Sequence, residues 1–137
     1  MRTGLLVIGH EQVGQVLLEA ASRLLGMCPL QAAALAVPFD VAPEIMISRA
    51  RGLLARLDDG AGVLVVTDLY GATPCNIALA LADAPQRLAV VAGVNLPMLI
   101  RVLNYPDLGL EQLVHKALSG GADGVLLCQD VTEGRAC

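Results

Sequence analysis

The sequence contains very few aromatic residues, no tryptophan and only one lysine. Its 137 residues are 55% hydrophobic but only 2% aromatic, so the apolar mass consists of Leu, Val, Ala and Ile. That composition is typical of a sheet covered on both faces by helices. The net charge is −4, the pI is near 4.9, and the nine basic residues form no stripe. We therefore expect no nucleic-acid partner.

Long apolar runs and a secretion signal are also missing. The longest early apolar segment, residues 5–8, is followed at once by Gly9, His10 and Glu11, which is too short for a signal peptide. No other run reaches the length of a membrane span. We expect a cytoplasmic protein without membrane insertion.

Cysteine and histidine show no metal-binding pattern. Cys28, Cys75, Cys128 and Cys137 form no C-x-x-C pair, and no histidine lies at zinc-finger spacing. We expect ordinary reduced thiols, no metal and no cofactor. Cys75 alone lies next to a polar motif.

Apolar segments of strand and helix type alternate along the whole chain. Pro43 and Pro97 are typical first-turn prolines, and Gly26 and the pair Gly120-Gly121 are predicted to end helices. The predicted strands are 4–9, 32–37, 62–67, 88–92 and 125–128, and the predicted helices are 11–25, 43–57, 74–81, 97–105 and 110–118.

This alternation predicts one α/β domain over residues 1–128, with a polar tail at 129–137. The expected fold is a doubly wound, mostly parallel sheet of flavodoxin-like strand order 2-1-3-4. Such sheets bind ligands beyond the carboxyl ends of their strands, where the strand order reverses. Here that point lies between the first and third strands.

Two polar residues follow these two strands. The first strand runs into His10, and the segment GVLVVTDLYGATPCN (62–76) passes from the third strand into Asp68. Each residue alone could be a loop or strand-end residue. Together they predict a site in which the carboxylate fixes the tautomer of the imidazole and leaves its other nitrogen nucleophilic.

Small residues and a helix start follow Asp68. Thr73 and Pro74 suit a helix N-terminus, and Gly71 and Ala72 are small enough for an anion to approach the backbone. Since helix N-termini bind phosphate through free amides, we predict that Thr73, Gly71 and Ala72 bind a phosphoryl group. A Walker-type lysine motif is missing, which argues against nucleotide hydrolysis.

Weaker candidates have equally simple structural interpretations. Asn95 fits a helix cap or the wall of the crevice, and His115 fits a surface position in a helix. Arg101 could meet an acidic or phosphorylated partner.

Three segments resemble the enzyme IIA component of the mannose family of the bacterial sugar phosphotransferase system. They are the first strand with His10, the motif DLYGATPCN (68–76), and the motif VVAGVNLPMLIRVL (90–103). The similarity spans nearly the whole domain. The resemblance implies phosphorylation of His10 by the histidine-containing phosphocarrier protein, itself charged from phosphoenolpyruvate through enzyme I.

The resemblance also implies transfer from His10 to a IIB component or use as a regulatory signal. Asp68 would orient the ring, and Thr73 would lie at the phosphate-binding helix start. The family often exchanges its fifth strand between two subunits, which implies a homodimer through residues 125–128. Two positions depart from the family pattern, because Glu11 and Ala72 stand where glycine is usual.

Two other functions fit the same residues. One is a non-catalytic regulatory binding module whose site senses an anion or a phosphorylation state. The other is a small hydrolase or isomerase that uses the His–Asp pair as a base, with Cys75 as its one candidate nucleophile. The sequence has no nucleophile-elbow serine, which argues against this enzyme.

Overall fold

A computed structural model describes residues 1–129 of the chain. Strands and helices alternate as predicted. The strands are β1 (Gly4–His10), β2 (Ala32–Val37), β3 (Val63–Thr67) and β4 (Leu88–Ala92). The helices are α1 (Val13–Leu25), α2 (Pro43–Leu57), α3 (Thr73–Leu79), α4 (Leu96–Leu103) and α5 (Leu110–Asp123), with a 3-10 turn at Ala80–Asp83.

The four strands form one parallel sheet in the order β2-β1-β3-β4. This confirms the predicted doubly wound fold. In the central pair, Ile8 of β1 lies opposite Thr67 of β3. The residues that follow these two positions therefore emerge side by side at the carboxyl edge, where the strand order reverses.

Each face of the sheet is covered by helices. Alternate β1 residues enter opposite layers: Leu5 and Val7 pack on the side of α1, α4 and α5, while Leu6 and Ile8 pack on the side of α2 and α3. All four side chains are completely buried. Burial stabilises the fold by about 1.5–3 kcal/mol for each such side chain.

Helix α5 is longer than predicted, because Gly120 and Gly121 do not end it. Both glycines are buried and lie against α4. A Cβ on Gly120 would lie 2.7 Å from the Cβ of Arg101, and one on Gly121 would lie 3.0 Å from Met98 Cε. These glycines allow two helices to approach closely, and α5 ends at Asp123 with Gly124 as its C-cap.

Three helix starts also differ from the prediction, and one of them is α4, which begins at Leu96 rather than Pro97. Helix α1 begins at Val13 rather than Glu11, because Glu11 takes a left-handed backbone conformation with φ +47° that no helix can include. Helix α3 begins at Thr73, with Ala72 rather than Thr73 as its N-cap. The predicted helical residues 80 and 81 belong to the 3-10 turn.

The predicted fifth strand does not form within the described chain. Residues 125–129 belong to no helix or strand, and a strand needs a neighbour with which to form its ladder. Val125, Leu126 and Leu127 are 78%, 69% and 74% exposed. Strand exchange with a second subunit stays a prediction, as does the domain boundary at residue 128. Residues 130–137 of the predicted tail lie outside the described residues.

Across residues 1–129, no helix is long and apolar enough to span a membrane. The same residues contain no group of His, Cys, Asp and Glu side chains arranged to hold a metal ion.

Candidate functional site

The carboxyl ends of β1 and β3 bring His10 and Asp68 into contact. Asp68 Oδ2 lies 2.8 Å from His10 Nδ1 and also accepts a 2.8 Å hydrogen bond from the backbone N–H of His10. The imidazole is 24% exposed and the carboxylate side chain 13%. One oxygen therefore fixes both the backbone and the ring of His10 at the edge of solvent.

Glycine provides the space for this contact. A Cβ on Gly9 would lie 3.3 Å from Asp68 Oδ2 and 3.2 Å from the backbone nitrogen of Gly14. At Gly14, a Cβ would lie 2.7 Å from Val7 Cγ1. A Cβ at Gly14 would clash, and one at Gly9 would be unusually tight, so the two glycines let α1 and Asp68 approach the end of β1 closely.

The hydrogen bonds determine the tautomer of His10. A carboxylate can only accept, so the proton of the neutral ring lies on Nδ1 and the lone pair lies on Nε2. Within residues 1–129, Nε2 has no hydrogen-bond partner, and Asp68 Oδ1 is buried without one. The site thus presents a partly exposed nucleophilic nitrogen supported by a mostly buried negative charge.

The predicted phosphate-binding residues lie in the loop between β3 and α3. Gly71 has φ +81°, which favours glycine, and open space surrounds its α-carbon. Ala72 precedes Thr73, the first residue of α3, and no side chain caps this helix. The first amides of a helix have no partner inside it. Among the described residues, no hydrogen bond joins Gly71, Ala72 or Thr73 to His10.

The sequence analysis missed Phe39. Its ring stacks on the imidazole of His10 with centroids 5.5 Å apart and an interplanar angle of 29°. Phe39 lies two residues beyond β2, which neighbours β1 in the sheet. The sequence did offer one sign of this contact. The only phenylalanine of the chain follows β2, the strand beside the one that ends in His10.

Asn95 is a structural residue. Its Oδ1 accepts from the backbone N–H of Met98 at 2.9 Å, and its Nδ2 donates to the carbonyl of Gly121 at 3.0 Å. The cap interpretation of Asn95 is therefore correct, and the same side chain joins α4 to α5.

The remaining candidates have structural explanations as well. Arg101 pairs with Asp123 at 3.3 Å within the same chain, and His115 is exposed on α5. Cys75 is only 1% exposed, which argues against a role as a nucleophile.

Fold and site together define a doubly wound α/β protein with an oriented histidine at the switch point of its sheet. The chain belongs to the EIIA-man family, described as "PTS system fructose IIA component", which matches residues 4–118. This confirms the family resemblance found in the sequence.

Two relatives and one solved structure illustrate the similarity. The PTS system mannose-specific EIIAB component of Escherichia coli K12 is 35% identical over 123 residues, 88% of this chain. The chain spans only 38% of the length of that relative. The PTS system sorbose-specific EIIA component of Lacticaseibacillus casei is 30% identical over 114 residues, covering 80% of this chain and 79% of the relative.

The solved structure is a mannose/sorbose specific IIA subunit of the phosphotransferase system from Enterococcus faecalis. It superimposes with a TM-score of 0.83 at 26% identity, over 97% of this chain and 98% of its own. The described fold is therefore similar to that of this IIA subunit over nearly the whole of both chains.

Proposed function

We propose that the chain is a phosphocarrier that accepts a phosphoryl group on Nε2 of His10. The donor is the histidine-containing phosphocarrier protein, and the acceptor is a IIB component or a regulatory partner. The observation that carries the proposal is the 2.8 Å contact between Asp68 Oδ2 and His10 Nδ1, because it leaves the Nε2 lone pair free. Membership of the EIIA-man family supports the same reaction.

The transfer exchanges one phosphorus–nitrogen bond for another. The lone pair of Nε2 forms a bond to phosphorus, while the bond to the donor nitrogen breaks and its electron pair stays on the donor. The imidazole of His10 keeps its proton on Nδ1 and gains positive charge. Asp68 stabilises that charge through the bond it already makes, so little rearrangement is needed in the transition state.

The loop at Gly71, Ala72 and Thr73 supports binding of the phosphoryl oxygens. It follows Asp68 directly and ends in a helix start that no side chain caps. Backbone amides at such a start favour negative charge. Ala72 adds a single methyl group where glycine is usual, and its own N–H already donates to the carbonyl of Leu69 at 3.3 Å, so we assign the phosphoryl contacts to the amides of Gly71 and Thr73.

Partners other than the donor are proposed from the same family. A IIB component would act as acceptor, and a cytoplasmic location matches that of a soluble donor. A homodimer is supported by the consecutive exposed residues Val125, Leu126 and Leu127, because such a run is normally covered by another surface.

Intact-mass spectrometry at neutral to mildly alkaline pH tests the proposal, since phosphohistidine is labile in acid. The chain is mixed with phosphoenolpyruvate, enzyme I and the phosphocarrier protein from its own organism. We expect the wild type to gain one phosphoryl group and His10→Ala to gain none. His115→Ala is the matched control, because His115 is the only other histidine, and it should be labelled like the wild type.

Two outcomes contradict the proposal. One is full labelling of a folded His10→Ala variant. The other is an unlabelled wild type in the presence of a donor shown to be phosphorylated.

A regulatory binding module remains the second candidate, favoured by one observation. Glu11 places a carboxylate directly after His10, where it disfavours a phosphoryl dianion. An unlabelled wild type that still binds the phosphorylated donor would support this function over phosphoryl transfer.

A further inference from the structure

Phe39 is mostly exposed, yet its ring lies against the imidazole of His10. It is the only phenylalanine of the chain and is 75% exposed. Most of its side chain faces solvent, and its ring contacts the imidazole of His10 with the two centroids 5.5 Å apart. Packing of the core therefore does not explain this position, whereas the contact with His10 does.

Glu11 attaches the Phe39 loop to the end of β1. Its backbone N–H donates to the carbonyl of Val37 at 3.0 Å, and its Oε1 accepts a long 3.4 Å hydrogen bond from the N–H of Phe39. Glu11 also has a left-handed backbone conformation, with φ +47°. Non-glycine residues adopt this conformation rarely, so the attachment compensates for local strain.

The reaction proposed above changes the charge of the ring that Phe39 covers. Once Nε2 carries phosphorus and Nδ1 keeps its proton for Asp68, the imidazole is cationic. An aromatic ring whose centroid lies within about 6 Å attracts a cation through its quadrupole. The centroids of the Phe39 and His10 rings are 5.5 Å apart, within this distance, and the interplanar angle of 29° makes the rings roughly parallel.

We propose that Phe39 is a positioning residue that stabilises the phosphorylated state of His10 by a cation–π contact, and that Glu11 holds it over the ring. The inference rests on the proposed phosphoryl transfer to His10. Asp68 acts on the edge of the imidazole and Phe39 acts on its face, so the two contributions are distinct.

The equilibrium constant of phosphoryl exchange with the phosphocarrier protein measures this contact. It depends only on the free energies of the free proteins, so a change in donor docking does not alter it. We expect Phe39→Leu to lower the constant about two- to fivefold, the effect of a partly exposed cation–π contact. Phe39→Trp, which keeps an aromatic face, should restore it.

The matched control is Tyr105→Leu. Tyr105 also contacts a cation, with Lys116 Nζ 4.1 Å from its ring centroid, but it lies beyond the end of α4, whereas His10 lies at the end of β1. This variant should exchange with the wild-type constant. Because Phe39 is mostly exposed, Phe39→Leu should fold normally, and circular dichroism checks that it does.

The outcomes separate the two proposals. A labelled wild type with an unchanged constant in Phe39→Leu overturns the role of Phe39 alone. An equal loss in Phe39→Leu and Phe39→Trp overturns it too, since an aromatic face would then not matter. A wild type that takes no phosphoryl group overturns the proposed function, and the present inference with it.

Discussion

Asp68 and Asn95 both follow strands of the same sheet, yet their polar atoms are used very differently. The side-chain oxygen of Asn95 accepts from the N–H of Met98, and its amide nitrogen donates to the carbonyl of Gly121. Both hydrogen bonds join parts of the fold. Asp68 binds the backbone and ring of His10 with one oxygen and keeps the other without a partner among residues 1–129.

This difference is the one we expect between a structural residue and a candidate functional residue. A side chain whose donor and acceptor both bond to the helix backbone stabilises the fold and has no free polar atom for a ligand. A buried carboxylate that holds a titratable ring, and retains an unused oxygen, costs free energy in the resting protein. Such a cost is typical of sites that act on something outside the fold.

The largest effect is expected from Asp68→Asn. An amide can donate to Nδ1, which moves the ring proton to Nε2, and it cannot neutralise the cationic ring. We expect the initial rate of His10 phosphorylation to fall by about 10²- to 10⁴-fold, as when an orienting carboxylate is lost in catalytic triads.

Rapid-quench labelling followed by mass spectrometry measures this rate. Asp83→Asn is the control, because Asp83 forms only an exposed ion pair with Arg51. If Asp68→Asn is phosphorylated at the wild-type rate, Asp68 is as structural as Asn95 and the comparison fails.

A smaller effect is expected where α4 and α5 cross. Gly120→Ala would place a Cβ 2.7 Å from that of Arg101, which has little freedom to move. We expect the free energy of unfolding to fall by about 1–3 kcal/mol, as in other overpacked interiors. Gly52→Ala is the matched control within α2, since nothing lies within 4 Å of its added Cβ.

Urea unfolding of both variants gives the comparison. Gly52→Ala should stabilise the protein by about 0.5–1 kcal/mol because alanine favours a helix interior. Equal stability changes in the two variants would mean that Gly120 is not needed for close packing.

The smallest effect is expected from Asn95→Ala, and it should be confined to stability. Loss of the cap and of the bond to Gly121 should lower the free energy of unfolding by about 1–2 kcal/mol. Thermal unfolding measures this change. Phosphorylation of the folded variant should proceed at the wild-type rate, and a large loss of labelling would show that Asn95 belongs to the site.

Much of the fold could be predicted from local patterns. Residues 32–37, 43–57 and 88–92 were predicted with the bounds that the structure has, because proline and apolar periodicity mark them. The glycines of α5 were misinterpreted, since a sequence pattern cannot show whether a glycine ends a helix or lies against another one. The fifth strand was predicted from apolar residues and, by the family resemblance, from exchange with a second subunit; it stays a prediction, since a strand needs a neighbouring strand.

The site could be predicted in part for a similar reason. Carboxyl ends of neighbouring parallel strands must meet, so the strand order alone places His10 beside Asp68. Phe39 could not be predicted, because its contact with His10 depends on the path of the loop after β2.

The sequence by itself determined the alternation of strands and helices, the parallel sheet and the edge at which polar residues gather. These follow from periodicity and composition, which act over a few residues. Only the tertiary structure decided that Asp68 uses one oxygen for both the backbone and the ring of His10. It also decided that Asn95 forms its hydrogen bonds within the fold and that Phe39 stacks on the imidazole. Those outcomes depend on distances between segments remote in the chain, and packing of the whole domain sets such distances.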